Sequence, residues 1–152
     1  MTAKQIFKPI LLVEDNPNDI ELVMIALGKA NLKNPIISLR DGAEALDYLR
    51  CQGKWKDREH ETPAVILLDK KLPKVDGHEV LSEIRQDPAL RLTPIVMLTS
   101  SREETDLLKS YQLGVNAYVV KPVEFEDFMS AIGDLGVFWG VLNEPSPRVT
   151  KS

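Results

Sequence analysis

The sequence predicts an α/β fold, a doubly wound, five-stranded parallel sheet with five helices. Five short apolar runs alternate along the chain with segments whose apolar residues recur at helical spacing. Three of the runs are continuously apolar, which is typical of strands buried on both faces of a parallel sheet. Strands that alternate with helices give right-handed crossovers and helices on both faces. The predicted strands are Ile10–Val13, Ile36–Leu39, Ala64–Leu68, Ile95–Leu98 and Tyr118–Val120.

The segments between these runs have the features of helices. In the first, Asn16-Pro17 places a capping residue before a proline suited to the first helical position. Its apolar stripe consists of Ile20, Val23, Met24 and Leu27. Later helix starts have the spacing of a capping box or its aspartate variant, in Asp41 with Glu44, Asp76 with Glu79, and Ser101 with Glu104. The fifth helix begins near Phe125, and its apolar stripe comprises Phe128, Met129, Ile132, Leu135 and Trp139.

The length of 152 residues suits one domain. We expect an extension over residues 1–8, the domain over 9–142 and a flexible tail over 143–152, since the tail has two prolines and no periodicity. The polar segment 52–62 is predicted to be an extended loop, with Trp55 as its large apolar residue.

Composition excludes several classes of protein. The formal net charge of −4 argues against binding duplex DNA through bulk charge. The single cysteine, Cys51, rules out an internal disulfide framework and a cysteine-based zinc site. The apolar runs are too short to span a bilayer, and the N-terminus has no signal-peptide pattern, so we expect a reducing cytoplasm.

Polar residues directly follow four of the predicted strands: Glu14-Asp15, Asp69, Thr99 and Lys121. The carboxyl ends of the strands in such a sheet meet at one edge, where ligands bind. Three carboxylates at close range repel one another, and Mg²⁺ would resolve the conflict while leaving positions for phosphoryl oxygens. A lysine and a hydroxyl beside them could stabilise a transferring phosphoryl group, with Asp69 as the best candidate nucleophile.

The same constellation resembles the receiver domain of bacterial two-component response regulators. The resemblance covers about residues 9–142, and Lys71-Leu72-Pro73 followed by Asp76-Gly77 resembles the family's loop after the phosphorylated aspartate. It implies a flavodoxin-like sheet of strand order 2-1-3-4-5. It also implies a phosphorelay protein that catalyses only its own phosphorylation and dephosphorylation and otherwise is not an enzyme.

The resemblance assigns roles to individual residues. Asp69 would be the phosphoacceptor, and Thr99 and Lys121 would contact the phosphoryl oxygens. Thr99 and Tyr118 would be the switch residues, and the Lys121-Pro122 bond would be cis. The implied ligands of Mg²⁺ are Glu14, Asp15, Asp69 and the backbone carbonyl of Lys71.

A narrower resemblance is to the single-domain response regulators paired with cyanobacterial and bacterial phytochromes. It rests on the opening segment Pro9–Pro17, the charged loop before the third strand, and Phe138-Trp139. It implies a red-light-sensing histidine kinase as partner and a homodimer formed through the fourth-helix, fifth-strand, fifth-helix face. Phe138, Trp139 and Leu142 extend the apolar arc of the last helix and are candidate interface residues, although Trp139 also fits the core stripe.

Other interpretations stay open from sequence alone. A pseudo-receiver that binds partners without phosphorylation would be expected to lack the acidic pair, Asp69 or Lys121, and none is missing. An aspartyl-phosphate phosphatase would need a second aspartate two positions after the nucleophile, where Lys71 stands. Lys71 is itself unusual for a receiver, and the sequence does not give the direction of its effect on phosphoryl lifetime.

Overall fold

The computed structural model describes residues 3–58, 61–115, 117–134 and 145–151. Its helices are α1 (Pro17–Lys29), α2 (Gly42–Arg50), α3 (Gly77–Gln86), α4 (Arg102–Ser110) and α5 (Phe125–Asp134). Its strands are β1 (Ala3–Phe7), β2 (Ile10–Val13), β3 (Ile36–Leu39), β4 (Val65–Asp69), β5 (Ile95–Thr99), β6 (Ala117–Val120) and β7 (Pro145–Lys151). Among the described residues, no helix has the length and apolar character needed to cross a bilayer.

Five of the strands form a parallel sheet of order β3-β2-β4-β5-β6. Counted along these five strands alone, the order is 2-1-3-4-5, so the predicted fold class is confirmed. Every residue of β2, β4 and β5 is buried, as their continuous apolar runs indicated. The order reverses between β2 and β4, which makes the carboxyl ends of these strands the expected place for a ligand.

Apolar side chains from the two faces of the sheet form two separate cores. On one face Leu12 packs with Val23 and Leu27 of α1 and with Phe128 of α5. On the other face the neighbouring residue, Leu11, belongs to the core that α2, α3 and α4 cover. Successive residues of a strand point to opposite faces, so a continuously apolar strand supplies both cores.

Three of the predicted caps are present. Asn16 Oδ1 accepts from the amides of Asn18 and Asp19 at 2.9 and 3.2 Å. Asp41 Oδ1 accepts from the Glu44 amide at 2.7 Å, and Ser101 Oγ accepts from the Glu104 amide at 3.1 Å.

The predicted cap on α3 is not formed, because other groups use the Asp76 carboxylate. One of its oxygens accepts from the Leu72 amide at 3.3 Å, and the other lies 2.7 Å from His78 Nδ1. Asp76 therefore ties the loop after β4 to the start of α3.

The segment after α2 is more ordered than the predicted extended loop. It contains a 3₁₀ turn, Gly53–Trp55, and the Trp55 ring packs edge-on against Tyr48 at a centroid distance of 5.0 Å. Arg58 donates from Nε and Nη2 to the Tyr48 carbonyl at 3.0 and 2.8 Å, while its guanidinium lies 4.0 Å from the Tyr48 ring centroid. These contacts hold the segment against α2.

The terminal segments differ from the predicted frayed tail, because β1 and β7 pair as an antiparallel two-stranded sheet. Ala3 pairs with Lys151, and Phe7 pairs with Pro145. Backbone groups alone can make such a ladder, so side-chain periodicity gave no sign of it. Both prolines of β7 lie in an edge strand, the position where a missing N–H is tolerated.

Candidate functional site

The carboxyl edge of the sheet holds the predicted polar residues. Glu14 follows β2, Asp69 and Thr99 are the last residues of β4 and β5, and Lys121 follows β6. Glu14, Asp69 and Thr99 are all buried, at 0%, 4% and 0% exposure. Buried polar groups need partners, so their contacts define the chemistry of this edge.

Lys121 is the centre of the cluster. Its Nζ lies 2.8 Å from Glu14 Oε1, 3.0 Å from Asp19 Oδ2 and 3.1 Å from Asp69 Oδ1. Burial alone would lower the pKa of Lys121. The bonds to Glu14 and Asp19 and the nearby Asp69 charge outweigh burial and raise this pKa, so the amine is an ammonium at all physiological pH values. The Lys121-Pro122 peptide bond is cis, as the resemblance implied.

Glu14 is held by the chain segment that follows it. Its Oε2 accepts from the amides of Asp15 and Asn16 at 3.1 and 3.3 Å, and its Oε1 accepts from Lys121. Hydrogen bonds to both oxygens stabilise a buried carboxylate. The turn between β2 and α1 therefore fixes Glu14 in one orientation toward Asp69.

Asp69 has a strongly perturbed acidity. Burial raises the pKa of Asp69 to about 7, and the hydrogen bond and charge of Glu14 act in the same direction. Lys121 opposes them, because its ammonium favours the ionised carboxylate. Two buried acids that share one ammonium are short of positive charge, so the site favours an additional cation.

The donor set fits a hard divalent cation. Carboxylate oxygens of Glu14, Asp15 and Asp69 lie within 4.8 Å of one another, and Asp15 is exposed to solvent. Mg²⁺ prefers such oxygen ligands and keeps several of its waters, which requires an open side. The exposed Asp15 provides that side.

The hydroxyl of Thr99 points to a different partner. Thr99 Oγ1 lies 3.0 Å from Thr105 Oγ1 of α4, and both residues are buried. The Thr99 carbonyl accepts from the Lys121 amide at 2.7 Å, but in the described part of the chain no hydrogen bond joins the Thr99 hydroxyl to Asp69 or Lys121. The predicted site residue is therefore next to the cluster with its hydroxyl engaged elsewhere.

The loop after β4 contacts the start of α4 through an ion pair. Lys71 Nζ lies 3.4 Å from Glu104 Oε2, and the same carboxylate accepts from the amide and hydroxyl of Ser100 at 3.0 and 2.8 Å. Burial acts to raise the pKa of Glu104, but its bonds with Ser100 and Lys71 outweigh burial and lower it. The unusual lysine is thus ion-paired to the first turn of α4.

Glycine at position 77 lets the start of α3 approach Asp69. A Cβ atom there would lie 2.0 Å from the Asp69 carbonyl oxygen and 2.7 Å from that of Lys70. The Gly77 amide in turn donates to the Lys70 carbonyl at 2.8 Å. Close backbone packing fixes where β4 ends.

Tyr118 lies on β6, next to the strand that ends in Thr99, and it pairs with Met97 of β5. It is half-buried, its hydroxyl donates to the Val115 carbonyl at 2.8 Å, and Lys109 Nζ lies 5.4 Å from its ring centroid. Burial raises the pKa of the Tyr118 phenol. The Tyr118 ring of β6 is therefore in contact with Lys109 of α4.

Sequence reasoning missed three contacts of the cluster, those of Asp19, Glu104 and Thr105. Asp19 lies in the first turn of α1, five residues after Glu14, and only the fold shows that it reaches Lys121. Glu104 and Thr105 lie in the first turns of α4, where their sequence signal was that of a helix start. The candidate interface residues Phe138, Trp139 and Leu142 lie outside the described residues.

A doubly wound sheet with acids, a hydroxyl and a lysine at its carboxyl edge defines a receiver domain. The chain belongs to this family: the model for the response regulator receiver domain matches residues 10–133.

Particular relatives of this chain are response regulators. The bacteriophytochrome response regulator RtBRR is 61% identical, with a TM-score of 0.86 over 93% of this chain and 86% of its own. Response regulator Rcp1 of Synechocystis sp. (strain ATCC 27184 / PCC 6803 / Kazusa) is 42% identical over 132 residues, which are 87% of this chain and 88% of Rcp1.

Two further structures show ligand states of such relatives. The Mn(2+)-bound form of Rcp1 is 40% identical, with a TM-score of 0.70 over 91% of this chain and 97% of its own. The phosphorylated cyanobacterial phytochrome response regulator RcpA is 42% identical, with a TM-score of 0.69 over 84% of this chain and 90% of its own.

Proposed function

We propose that the protein accepts a phosphoryl group on Asp69 from a histidine kinase in a Mg²⁺-dependent reaction. The observation that carries the proposal is the position of the Lys121 ammonium, within 3.1 Å of both Asp69 and Glu14 at the carboxyl edge of the sheet. Such a cluster can bind and stabilise a phosphoryl group with little reorganisation.

In the proposed reaction a carboxylate oxygen of Asp69 attacks the phosphorus atom of a phosphohistidine. The O–P bond forms as the P–N bond breaks, and the electron pair of the broken bond stays on the imidazole nitrogen. Lys121 offsets the negative charge of the phosphoryl oxygens, and Thr99 donates its hydroxyl proton to one of them. Hydrolysis of the acyl phosphate by water returns Asp69 to the carboxylate.

The ligands proposed for Mg²⁺ are Glu14, Asp15, Asp69 and the backbone carbonyl of Lys71. The grouping of the three carboxylates supports this set. The bound ion would supply charge neutralisation for the carboxylates and for the phosphoryl oxygens. The Mn(2+)-bound form of Rcp1 is consistent with the proposal, since its sequence is 40% identical.

The proposed output is a change of surface rather than a second reaction. Engagement of Thr99 by the phosphoryl group and an inward turn of Tyr118 would reshape the face formed by α4, β6 and α5. We propose that this face binds the downstream partner or a second copy of the chain, with Phe138, Trp139 and Leu142 as candidate contacts.

The proposed pathway is phytochrome light signalling, with a phytochrome-type histidine kinase as the phosphodonor. The names of RtBRR and RcpA support it, as does 61% identity to RtBRR. The proposal rests on relatives that this chain matches over most of their length, 86% of RtBRR and 88% of Rcp1. It also includes a cytoplasmic location, no nucleic-acid partner and no catalysis beyond the protein's own phosphoryl chemistry.

The test is labelling with acetyl phosphate, with and without Mg²⁺, followed by intact mass measurement. We expect a gain of one phosphoryl group that requires Mg²⁺ and is absent in Asp69→Asn. Asp57→Asn, which changes an exposed aspartate, is the matched control and should label like the wild type. Labelling of Asp69→Asn would refute the assigned residue. A wild type that stays unlabelled by both acetyl phosphate and a phosphorylated phytochrome kinase would favour the pseudo-receiver.

A further inference from the structure

Three oxygen atoms beside the site form a hydrogen-bonded chain. Thr99 Oγ1 and Thr105 Oγ1 are 3.0 Å apart, and Thr105 Oγ1 donates to the Ser101 carbonyl at 3.3 Å. A threonine hydroxyl has one proton. With the Thr105 proton on the Ser101 carbonyl, Thr99 is the donor in the bond between the two hydroxyls. In that arrangement the single proton of Thr99 is directed to Thr105 of α4.

The proposed function requires the Thr99 proton for a different hydrogen bond. To donate to an oxygen of a phosphoryl group on Asp69, Thr99 must release Thr105. Both hydroxyls are buried, with Thr99 at 0% and Thr105 at 8% exposure, so water does not readily replace the lost partner. The strength of the Thr99–Thr105 bond thus opposes engagement of a phosphoryl group.

We propose that Thr105 is a positioning residue that holds Thr99 in the unphosphorylated arrangement and thereby weakens binding of a phosphoryl group at Asp69. The inference rests on the proposed function of Asp69 and Thr99. A group that stabilises only one of two states shifts their equilibrium by its differential interaction, so removal of the Thr105 hydroxyl favours the phosphorylated arrangement.

The surroundings of Thr105 allow this hydroxyl to be removed without loss of α4. Ser101 Oγ caps the helix through the Glu104 amide at 3.1 Å, and the Glu104 carboxylate accepts two bonds from Ser100. These contacts do not involve Thr105. Valine has nearly the shape of threonine, so Thr105→Val changes the hydrogen bond and little else. Thr105→Ser keeps the hydroxyl and is the conservative control.

The experiment measures the affinity of the Mg²⁺-loaded protein for fluoroberyllate, a tetrahedral mimic of a phosphoryl group on a carboxylate. Isothermal titration calorimetry on the wild type, Thr105→Val and Thr105→Ser gives the dissociation constants, and Mg²⁺ is titrated alone in parallel. Loss of one buried hydrogen bond in the unphosphorylated state should tighten fluoroberyllate binding about fivefold in Thr105→Val. Thr105→Ser should stay within about twofold of the wild type, and Mg²⁺ affinity should not change.

The outcomes separate this inference from the proposed function. Fluoroberyllate binding that is unchanged or weaker in a folded Thr105→Val overturns the role of Thr105 and leaves that of Asp69 intact. A parallel change in Mg²⁺ affinity indicates a structural disturbance and counts against the role as well. Failure of the wild type to bind fluoroberyllate overturns both proposals. If Thr105→Val does not fold, Thr105→Ala carries the same fivefold prediction, and no tightening in it refutes the role.

Discussion

Asp69→Asn is expected to stabilise the metal-free protein, and to do so more strongly as the pH rises. Asp69 is 4% exposed, and burial together with Glu14 raises its pKa from 3.8 to about 7. A carboxyl group whose pKa is higher in the folded than in the unfolded state binds its proton more tightly when folded. Its contribution to stability is therefore greatest at low pH and is lost as the pH rises from about 4 through 7.

The size of the effect follows from the shift. At about 1.4 kcal/mol for each pKa unit, the raised pKa of Asp69 lowers the stability of the folded protein by about 4 kcal/mol at pH 8 and by about 2 kcal/mol at pH 5.5. Asparagine has no charge at either pH. The difference in free energy of unfolding between Asp69→Asn and the wild type should thus grow by about 2 kcal/mol from pH 5.5 to pH 8. For a domain of this size that is a further gap of about 4–8 °C in melting temperature.

Urea and thermal unfolding in EDTA at the two pH values measure this gap. Every other titrating group is present in both proteins, so the difference reports Asp69 together with its interactions with Glu14 and Lys121. Asp57→Asn is the control and should give the same gap from the wild type at both pH values. Added Mg²⁺ should raise the stability of the wild type at pH 8 more than that of Asp69→Asn. A stability difference that is constant with pH, or that shrinks toward pH 8, would refute the argument that ionised Asp69 destabilises the folded protein.

Two further predictions concern Lys121 and Gly77. Lys121→Met leaves the buried carboxylates of Glu14 and Asp69 without their ammonium. It should lower the free energy of unfolding at pH 8, measured by urea titration, by about 3 kcal/mol. Lys56→Met, at an exposed position, is the control and should have little effect. Gly77→Ala should lower the melting temperature measured by calorimetry, because its Cβ would lie 2.0 Å from the Asp69 carbonyl oxygen. Gly28→Ala should raise the melting temperature, because its Cβ would have no neighbour within 4 Å and alanine favours the helix. Equal effects within either pair would contradict the corresponding account.

The sheet could be predicted from sequence because burial on both faces leaves a continuous apolar run. Leu11 and Leu12 belong to opposite cores, and a strand that supplies both has no polar side to break the pattern. The same reasoning found Asp69 and Thr99, which are the first polar residues at the ends of such runs. A polar residue at the end of a buried strand is a strong signal in a parallel sheet.

Other features of the fold and site could not be predicted from the spacing of apolar residues. Pairing of β1 with β7 uses backbone groups, which leave no periodic pattern of side chains in the sequence. The predicted Asp76 cap depends on which groups bond to the carboxylate, and in the structure these are the Leu72 amide and the His78 ring. The hydrogen bond from Thr99 to Thr105 depends on where α4 starts relative to β5, and that geometry is set by packing.

The electrostatics of the site explain why a cation belongs to the proposed function. Lys121 contacts Glu14, Asp19 and Asp69, and the carboxylate of Asp15 adjoins the group. One ammonium thus contacts three carboxyl groups that a fourth adjoins, and burial among these charges raises the pKa of Asp69. A proton on Asp69 removes the repulsion but also removes the proposed nucleophile. A divalent cation removes the same repulsion and keeps the carboxylate ionised, so binding of the cation and reactivity of Asp69 are linked through one charge balance.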